Sequence, residues 1–426
     1  MTKLNELDAT DIADKVRKWK ASPVEVMQDC IVAIEAQEDE LHAWAHFDKE
    51  QALTNALAVN VELLRKKARP REYPLAGVPV GIKDIFNTVD MPTQMGSPIW
   101  AGFTPGNDAR VVHYLRRAGA IIAGKTVTAE FAVHTPGPTR NPHNVEYMAG
   151  TSSTGSAVAV AAKMVPLALG TQTAGSTIRP ASYCGVYGFK PTFGLVPRTG
   201  MLKTTDTLDT VGMFARSARD LRLLFDVIRV QGRDYPYSNL QEGRAKNVRL
   251  IRGPKWGEAE GYVKDALLQF PHDCCEHYPM SLYTIHELHG IIYDKTLAYY
   301  FMEEAKKKTL VSPKMYEIIE RGNQVTLDTY KDALVQQAKI TAEFDEFMRS
   351  SHIDILLDYS TAGEALKGLD SEDRPDHCLI WTFLGLPVVS VPMFTGPNGL
   401  PFGVQVIGRK YDDYKVLAYA EVLGNA

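Results

Sequence analysis

Two loops concentrate hydroxyl side chains in a pattern that can do covalent chemistry. Residues 150–156 read GTSSTGS and residues 170–185 read GTQTAGSTIRPASYCG. Between them lie Ser156–Met164, apolar on every face, and the short apolar run Leu167–Gly170. Flexible linkers share this serine- and glycine-rich composition, but linkers seldom bracket elements that must be buried. Thr173-Ala174-Gly175-Ser176 directly follows an expected core strand, the place where α/β proteins put their ligands. Small residues there allow successive backbone N–H groups to converge on one point, as an oxyanion hole requires. Ser176 is then a candidate nucleophile, and a nucleophilic serine needs a base. Lys83 ends the apolar run from Leu75 to Ile82, where burial would lower its pKa. His113, His134 and His143 stay open as alternatives by spacing.

The elements that must position these loops alternate in kind. Ser22-Pro23-Val24-Glu25 has the form of a capping box with proline at the first helical position, and predicts a helix to about Ala36. A second helix is expected over Lys49–Lys67, with a short strand at Leu41–Phe47 between the two. The polar, proline-bounded RPREYP at 69–74 connects to the strand Val78–Ile82. Asp108 is expected to cap a helix that ends at Gly119, ahead of a strand at Ala120–Ala123. Another capped helix spans Ser217–Gln231, and the polar residues 232–246 read as a surface loop. Residues 283–349 are mostly helical and rich in tyrosine. A strand at 354–357, a helix near 376–384, and strands at 388–392 and 403–407 close the chain. Such alternation predicts an α/β architecture with a largely buried sheet.

Three motifs are set aside on physical grounds. Gly119-Ala-Ile-Ile-Ala-Gly124-Lys125-Thr126 matches a phosphate-loop pattern, but its centre is a buried strand following a helix, not a loop entering one. In His272-Asp-Cys274-Cys275-Glu-His277, consecutive residues of an extended segment point to opposite faces, so a short edge strand is expected rather than a zinc site. His42 and His46 have i, i+4 spacing without the intervening glutamate of a metalloprotease helix.

Composition narrows the class. The 426 residues are 45% apolar and 23% charged, with 47 basic and 51 acidic side chains for a net charge of −4. That supports a full core and argues against disorder or a basic nucleic-acid surface. No window is apolar enough to span a bilayer, and the N-terminus lacks a signal-peptide core. Five scattered cysteines form no disulfide framework. A cytoplasmic protein is expected, with no nucleic-acid or membrane partner.

GIKDIF at 81–86 and the two loop blocks, in this order, resemble the three catalytic blocks of the amidase signature family. The resemblance is strong from Leu75 to Arg198. It resumes at Gly368-Leu-Asp370, WTFLGLPVVSVP and GLPFGVQVIG, and is weak over 232–350. It implies one α/β domain with a central mixed sheet covered by helices on both faces. That domain would comprise a helical part at about 1–70, a catalytic core at about 75–215, a variable substrate-determining part at about 232–350 and closing elements at about 353–426. It implies a Ser–Ser–Lys triad in which Ser176 is the nucleophile, Ser152 the proton relay and Lys83 the base. The N–H groups of Thr173, Ala174, Gly175 and Ser176 would form the oxyanion hole. No metal or organic cofactor is implied. Arg179 is a candidate for meeting a substrate carboxylate, and a homodimer is compatible with the family. The implied activity is hydrolysis of a small carboxamide. A glutaminase subunit of a tRNA-dependent amidotransferase and a catalytically silent binding homologue are the competing readings. The last rests on Thr151, which stands where the family usually has glycine, as Thr154 also does.

Overall fold

The computed structural model describes residues 3–65, 72–230, 245–275, 277–369, 373–374 and 376–425. The expected loop at 232–246 therefore falls almost wholly outside the described residues, as do much of RPREYP and Asp370. The strands in chain order are β1 (Trp44–His46), β2 (Pro79–Lys83), β3 (Ile121–Thr126), β4 (Leu167–Gln172), β5 (Tyr187–Lys190) and β6 (Thr210–Ala215). They continue as β7 (Val248–Ile251), β8 (Cys274–Cys275), β9 (Ile355–Tyr359), β10 (Val388–Thr395) and β11 (Pro401–Ile407). Together they form an eleven-stranded sheet ordered β1-β3-β2-β4-β6-β5-β10-β11-β9-β7-β8. β2 runs parallel to β3 and β4, and β7 parallel to β8 and β9, while every other pairing is antiparallel.

The strands are apolar throughout because both faces of the sheet are covered. Successive side chains of a strand point to opposite faces, and the core divides accordingly. Leu167 and Leu169 of β4 join one apolar cluster while Ala168 joins another. Val211, Met213 and Ala215 of β6 lie with the first group and Phe214 with the second. Farther along the sheet, Ile355 and Leu357 share the first cluster, and Leu356 packs on the other side with the helices of residues 285–350. The result is a single domain with a large mixed sheet flanked by helices.

The Ser22 capping box forms as expected: its Oγ accepts from the Glu25 N–H at 3.1 Å, and Glu25 Oε2 accepts from the Ser22 N–H at 2.7 Å. Asp108 does not cap. Its carboxylate accepts from the Val89 N–H at 2.9 Å and from Arg116 Nε at 3.0 Å, and the helix Arg110–Arg117 begins behind Ala109. β3 extends to Thr126, so Lys125 lies inside a strand and the phosphate-loop match has no loop. β8 is an edge strand, as expected for the Cys274–Cys275 segment. Its neighbour His272 bonds the Tyr419 hydroxyl, and no group of three His, Cys, Asp or Glu among the described residues is placed to hold a metal. No helix among them is long and apolar enough to cross a membrane.

The apolar helix between the two loops starts earlier than its hydrophobic run suggests, at Thr154–Ala161. Gly155 in its first turn presses against backbone. A Cβ there would lie 2.3 Å from the Ala43 carbonyl oxygen and 2.4 Å from the Val127 nitrogen. Neither atom can yield without moving a strand end. Gly155→Ala should therefore destabilise the fold by about 1–3 kcal/mol or more, an overpacking cost. Urea denaturation would read this, and an unchanged midpoint would contradict it.

Candidate active site

β2 delivers Lys83 to the interior at its C-terminal end, where no part of the residue is solvent-exposed. Its amine bonds three hydroxyls: Ser152 Oγ at 2.7 Å, Thr171 Oγ1 at 2.9 Å and Ser153 Oγ at 3.0 Å. Among the described residues no carboxylate pairs with it. Burial drives its pKa well below the ordinary lysine value, against a weaker opposing pull from the charge of Asp209. A neutral amine has two donors and one lone pair, so it can donate to two of these hydroxyls and accept from the third.

The two adjacent serines are not equivalent. Ser153 Oγ donates to the Thr171 carbonyl at 3.1 Å and accepts from the Thr171 N–H at 3.2 Å, which commits its proton to the backbone. Ser152 makes the shortest contact to the amine and has no such competing bond among the described residues. It is fully buried, and the Thr151–Ser152 peptide is cis.

Ser176 lies at the end of the loop between β4 and the helix Ile178–Cys184, and is 9% exposed. The loop is held from behind. Gln172 Oε1 accepts from the N–H groups of Thr177 at 2.9 Å and Ile178 at 3.0 Å. Asp209, buried, accepts from Thr173 Oγ1 at 2.9 Å and from the N–H and hydroxyl groups of Thr204 and Thr205. Among the described residues, none of the N–H groups of Thr173, Ala174, Gly175 and Ser176 donates to a protein acceptor. Four consecutive unsatisfied donors in one tight, largely buried loop are what a developing oxyanion needs.

Beside Lys83, Asp84 and Lys125 form a buried ion pair at 3.0 Å. Lys125 also donates to the Pro92 carbonyl at 2.8 Å and to Thr93 Oγ1 at 2.7 Å. Burial pushes both groups toward their neutral forms, and their mutual attraction opposes it. The pair ties the end of β2 to β3.

Arg179 is not the unpaired cation that a receptor for a substrate carboxylate calls for. Its Nε donates to Asp376 at 2.7 Å and its Nη1 to Asp373 at 2.5 Å. Asp373 also accepts from the Thr151 hydroxyl, so the threonine in the usual glycine position is tied into this network. These residues border a cavity of about 620 Å³, whose wall includes Thr151, Arg179, Lys255, Lys314, Arg321, Arg374, Glu258, Asp373 and Asp376. A second cleft of about 690 Å³ is lined by Trp44, Asp84, Glu130 and Ser312, and meets the first at Thr135 and Pro136.

The histidines considered as bases stand elsewhere. His143 Nε2 is engaged by the Cys184 carbonyl at 2.9 Å, His113 is exposed on its helix, and His134 sits at the cavity rim against Tyr293. Gln172 and Asp84 were within reach of sequence reasoning, because each lies inside a catalytic block. The same holds for Thr171 and Ser153, whereas Asp209 and Asp373 lie outside the blocks and carried no signal of their own.

A family model for amidases matches residues 25–250 and 276–417. The chain belongs to the amidase family. Among its amidase relatives, a glutamyl-tRNA(Gln) amidotransferase subunit from Lachnospira eligens is 32% identical over 481 aligned positions, covering 99% of each chain. The corresponding subunit from Mycolicibacterium vanbaalenii is 32% identical, covering 97% of this chain and 96% of its own. A crystal structure of an amidase superposes with a TM-score of 0.86 at 28% identity, covering 98% of this chain and 99% of that one. The peptide amidase of Stenotrophomonas maltophilia gives a TM-score of 0.85 at 25% identity, over 99% of this chain and 96% of its own.

Proposed function

We propose that this amidase-family protein is a cytoplasmic amidohydrolase that cleaves the C–N bond of a small carboxamide through an acyl-enzyme on Ser176. The observation that carries the reading is the Lys83 amine, buried without a counter-ion and 2.7 Å from Ser152 Oγ. A lysine with an ordinary pKa near 10.4 is protonated at neutral pH and cannot act as a base. Desolvation favours the neutral amine, which can take a proton from Ser152 as Ser152 takes one from Ser176. The Ser176 oxygen attacks the amide carbonyl, and the oxyanion is received by the N–H groups of Thr173, Ala174, Gly175 and Ser176. The proton returns through Ser152 to the leaving nitrogen as the C–N bond breaks, releasing ammonia or an amine. Water then attacks the ester by the same route and gives the carboxylic acid. Every step uses groups of this chain alone.

A second reading has a specific observation behind it: the end-to-end similarity to glutamyl-tRNA(Gln) amidotransferase subunits. On that reading the same chemistry releases ammonia from glutamine, and only with partner proteins present. The silent-homologue reading loses ground because the Thr151 hydroxyl is bound by Asp373.

Screening the purified chain against an amide panel, with glutamine included, separates hydrolysis from partner-dependent glutaminase activity. Labelling by a fluorophosphonate should occur at Ser176 and vanish in Ser176→Ala. Ser176→Ala and Lys83→Met should each lower kcat by about 10⁴-fold or more while remaining folded, the scale seen when a nucleophile or its base is lost. Near-normal turnover in either variant would sink the mechanism.

The rate should also depend on pH with a definite sign. Lys83 must be neutral to act, so kcat/KM should fall as pH drops through its lowered pKa and be flat above it. A rate still climbing at about pH 10, where an ordinary lysine titrates, would contradict a depressed base.

The cavity wall carries five cationic and three acidic side chains, which favours an anionic amide. Arg179 offsets Asp373 and Asp376, so Arg179→Ala would leave two carboxylates facing the substrate. KM should then rise for carboxylate-bearing amides more than for neutral ones. An equal rise for both would count against this substrate class.

A further inference from the structure

The oxyanion loop has to aim its N–H groups inward, and a loop of small residues does not do this unaided. In a trans peptide the carbonyl of one residue and the N–H of the next point in opposite directions. Fixing a carbonyl on the outer side of the loop therefore fixes the following N–H on the inner side. Two such carbonyls are fixed here. The Ala174 carbonyl lies 2.7 Å from Thr382 Oγ1, whose one proton it shares with the Cys378 carbonyl at 2.9 Å, and Thr382 is itself bonded by Gln172 Nε2 at 2.9 Å. The Thr173 carbonyl accepts from His289 Nε2 at 2.9 Å and has no other donor among the described residues.

We infer that His289 is a positioning residue for the oxyanion hole: by donating Nε2–H to the Thr173 carbonyl it holds the Ala174 N–H turned into the site. The inference rests on the reading of Ser176 as nucleophile. His289 comes from the helix Ile285–Tyr300, inside the stretch where the sequence has least in common with the family blocks. Its ring is buried and stacked on Tyr293, with centroids 5.5 Å apart and planes inclined by 21°. Because the partner is a carbonyl oxygen, the bonded nitrogen must carry the hydrogen. Burial pushes the pKa of His289 down to about 4, so the ring is a neutral donor at neutral pH. Without this bond the Thr173–Ala174 peptide is free to rotate, and a rotated carbonyl would present a negative dipole to the oxyanion. The variable segment thus contributes to the chemical step as well as to the substrate cavity.

The test uses the full chain and a fluorophosphonate, whose phosphoryl oxygen becomes anionic in the hole as Ser176 attacks. The wild type must first be labelled at Ser176; failure of that step removes the catalytic reading itself. With labelling established, His289→Leu should lower the second-order inactivation rate constant by about 10- to 100-fold, somewhat less than loss of a whole donor. His289→Gln places an amide N–H near the former Nε2 position and should restore the rate to within about threefold of wild type, on the same argument. For an amide from the panel, the loss should appear in kcat with KM little changed. Should the leucine variant fail to fold, His289→Asn, whose amide falls short of the carbonyl, takes its place with the same expected loss. A wild-type rate in the leucine or asparagine variant would overturn the inference. So would a folded glutamine variant as slow as either of them.

Discussion

An amine stripped of water and given no counter-ion is the constraint around which the site is built. Lys83 lies at the end of an all-buried strand with three hydroxyls for company. In the protonated form it would be an uncompensated buried charge, which proteins avoid by pairing or by neutralisation. Asp84, the next residue in the chain, is paired with Lys125 instead. Two lysines buried in neighbouring strands thus differ: Lys125 keeps a counter-ion and ties strands together, and Lys83 meets hydroxyls, with burial driving its pKa well down.

The surrounding elements hold that amine beside the two serine-bearing loops. The parallel pairing of β2 with β4 brings Lys83 beside the Thr171 end of the strand that leads into the Ser176 loop. The helix Thr154–Ala161 packs in the apolar cluster beneath, and the residues leading into it supply Ser152 and Ser153. Behind the Ser176 loop, Gln172, Asp209, Thr382 and His289 draw threonine hydroxyls and backbone carbonyls outward. Rigidity here is achieved with buried packing and with hydrogen bonds to buried polar groups, the Asp209 carboxylate included.

Much of this was legible in the sequence, and the limits have physical causes. The apolar strands expected at Val78–Ile82 and Leu167–Gly170 are found, at Pro79–Lys83 and Leu167–Gln172, buried along their whole length. The Ser22 capping box is a local signal and therefore survives folding. Asp108 does not cap because its carboxylate is taken by the Val89 N–H, 19 residues away, and by Arg116 within the helix itself. Lys83, Ser152 and Ser176 stood out through their blocks, but which serine would face the amine with its proton uncommitted depends on the Thr171 backbone, across 18 residues of chain. Arg179 looked available because its partners, Asp373 and Asp376, lie almost 200 residues away. His289 could not be singled out at all: one histidine in a tyrosine-rich helix acquires meaning only from the carbonyl it meets.

The central claim is that Lys83 carries no charge at neutral pH, and its own side-chain carbon reports this directly. In protein labelled with ¹³C at lysine Cε, the Lys83 resonance can be assigned by its absence in Lys83→Met and followed by NMR across pH. The account predicts the chemical shift of a neutral amine at pH 7, with any titration displaced well below the ordinary lysine value. A resonance that stays in the ammonium position at pH 7 and moves only above about pH 10, as in a solvated lysine, would contradict it.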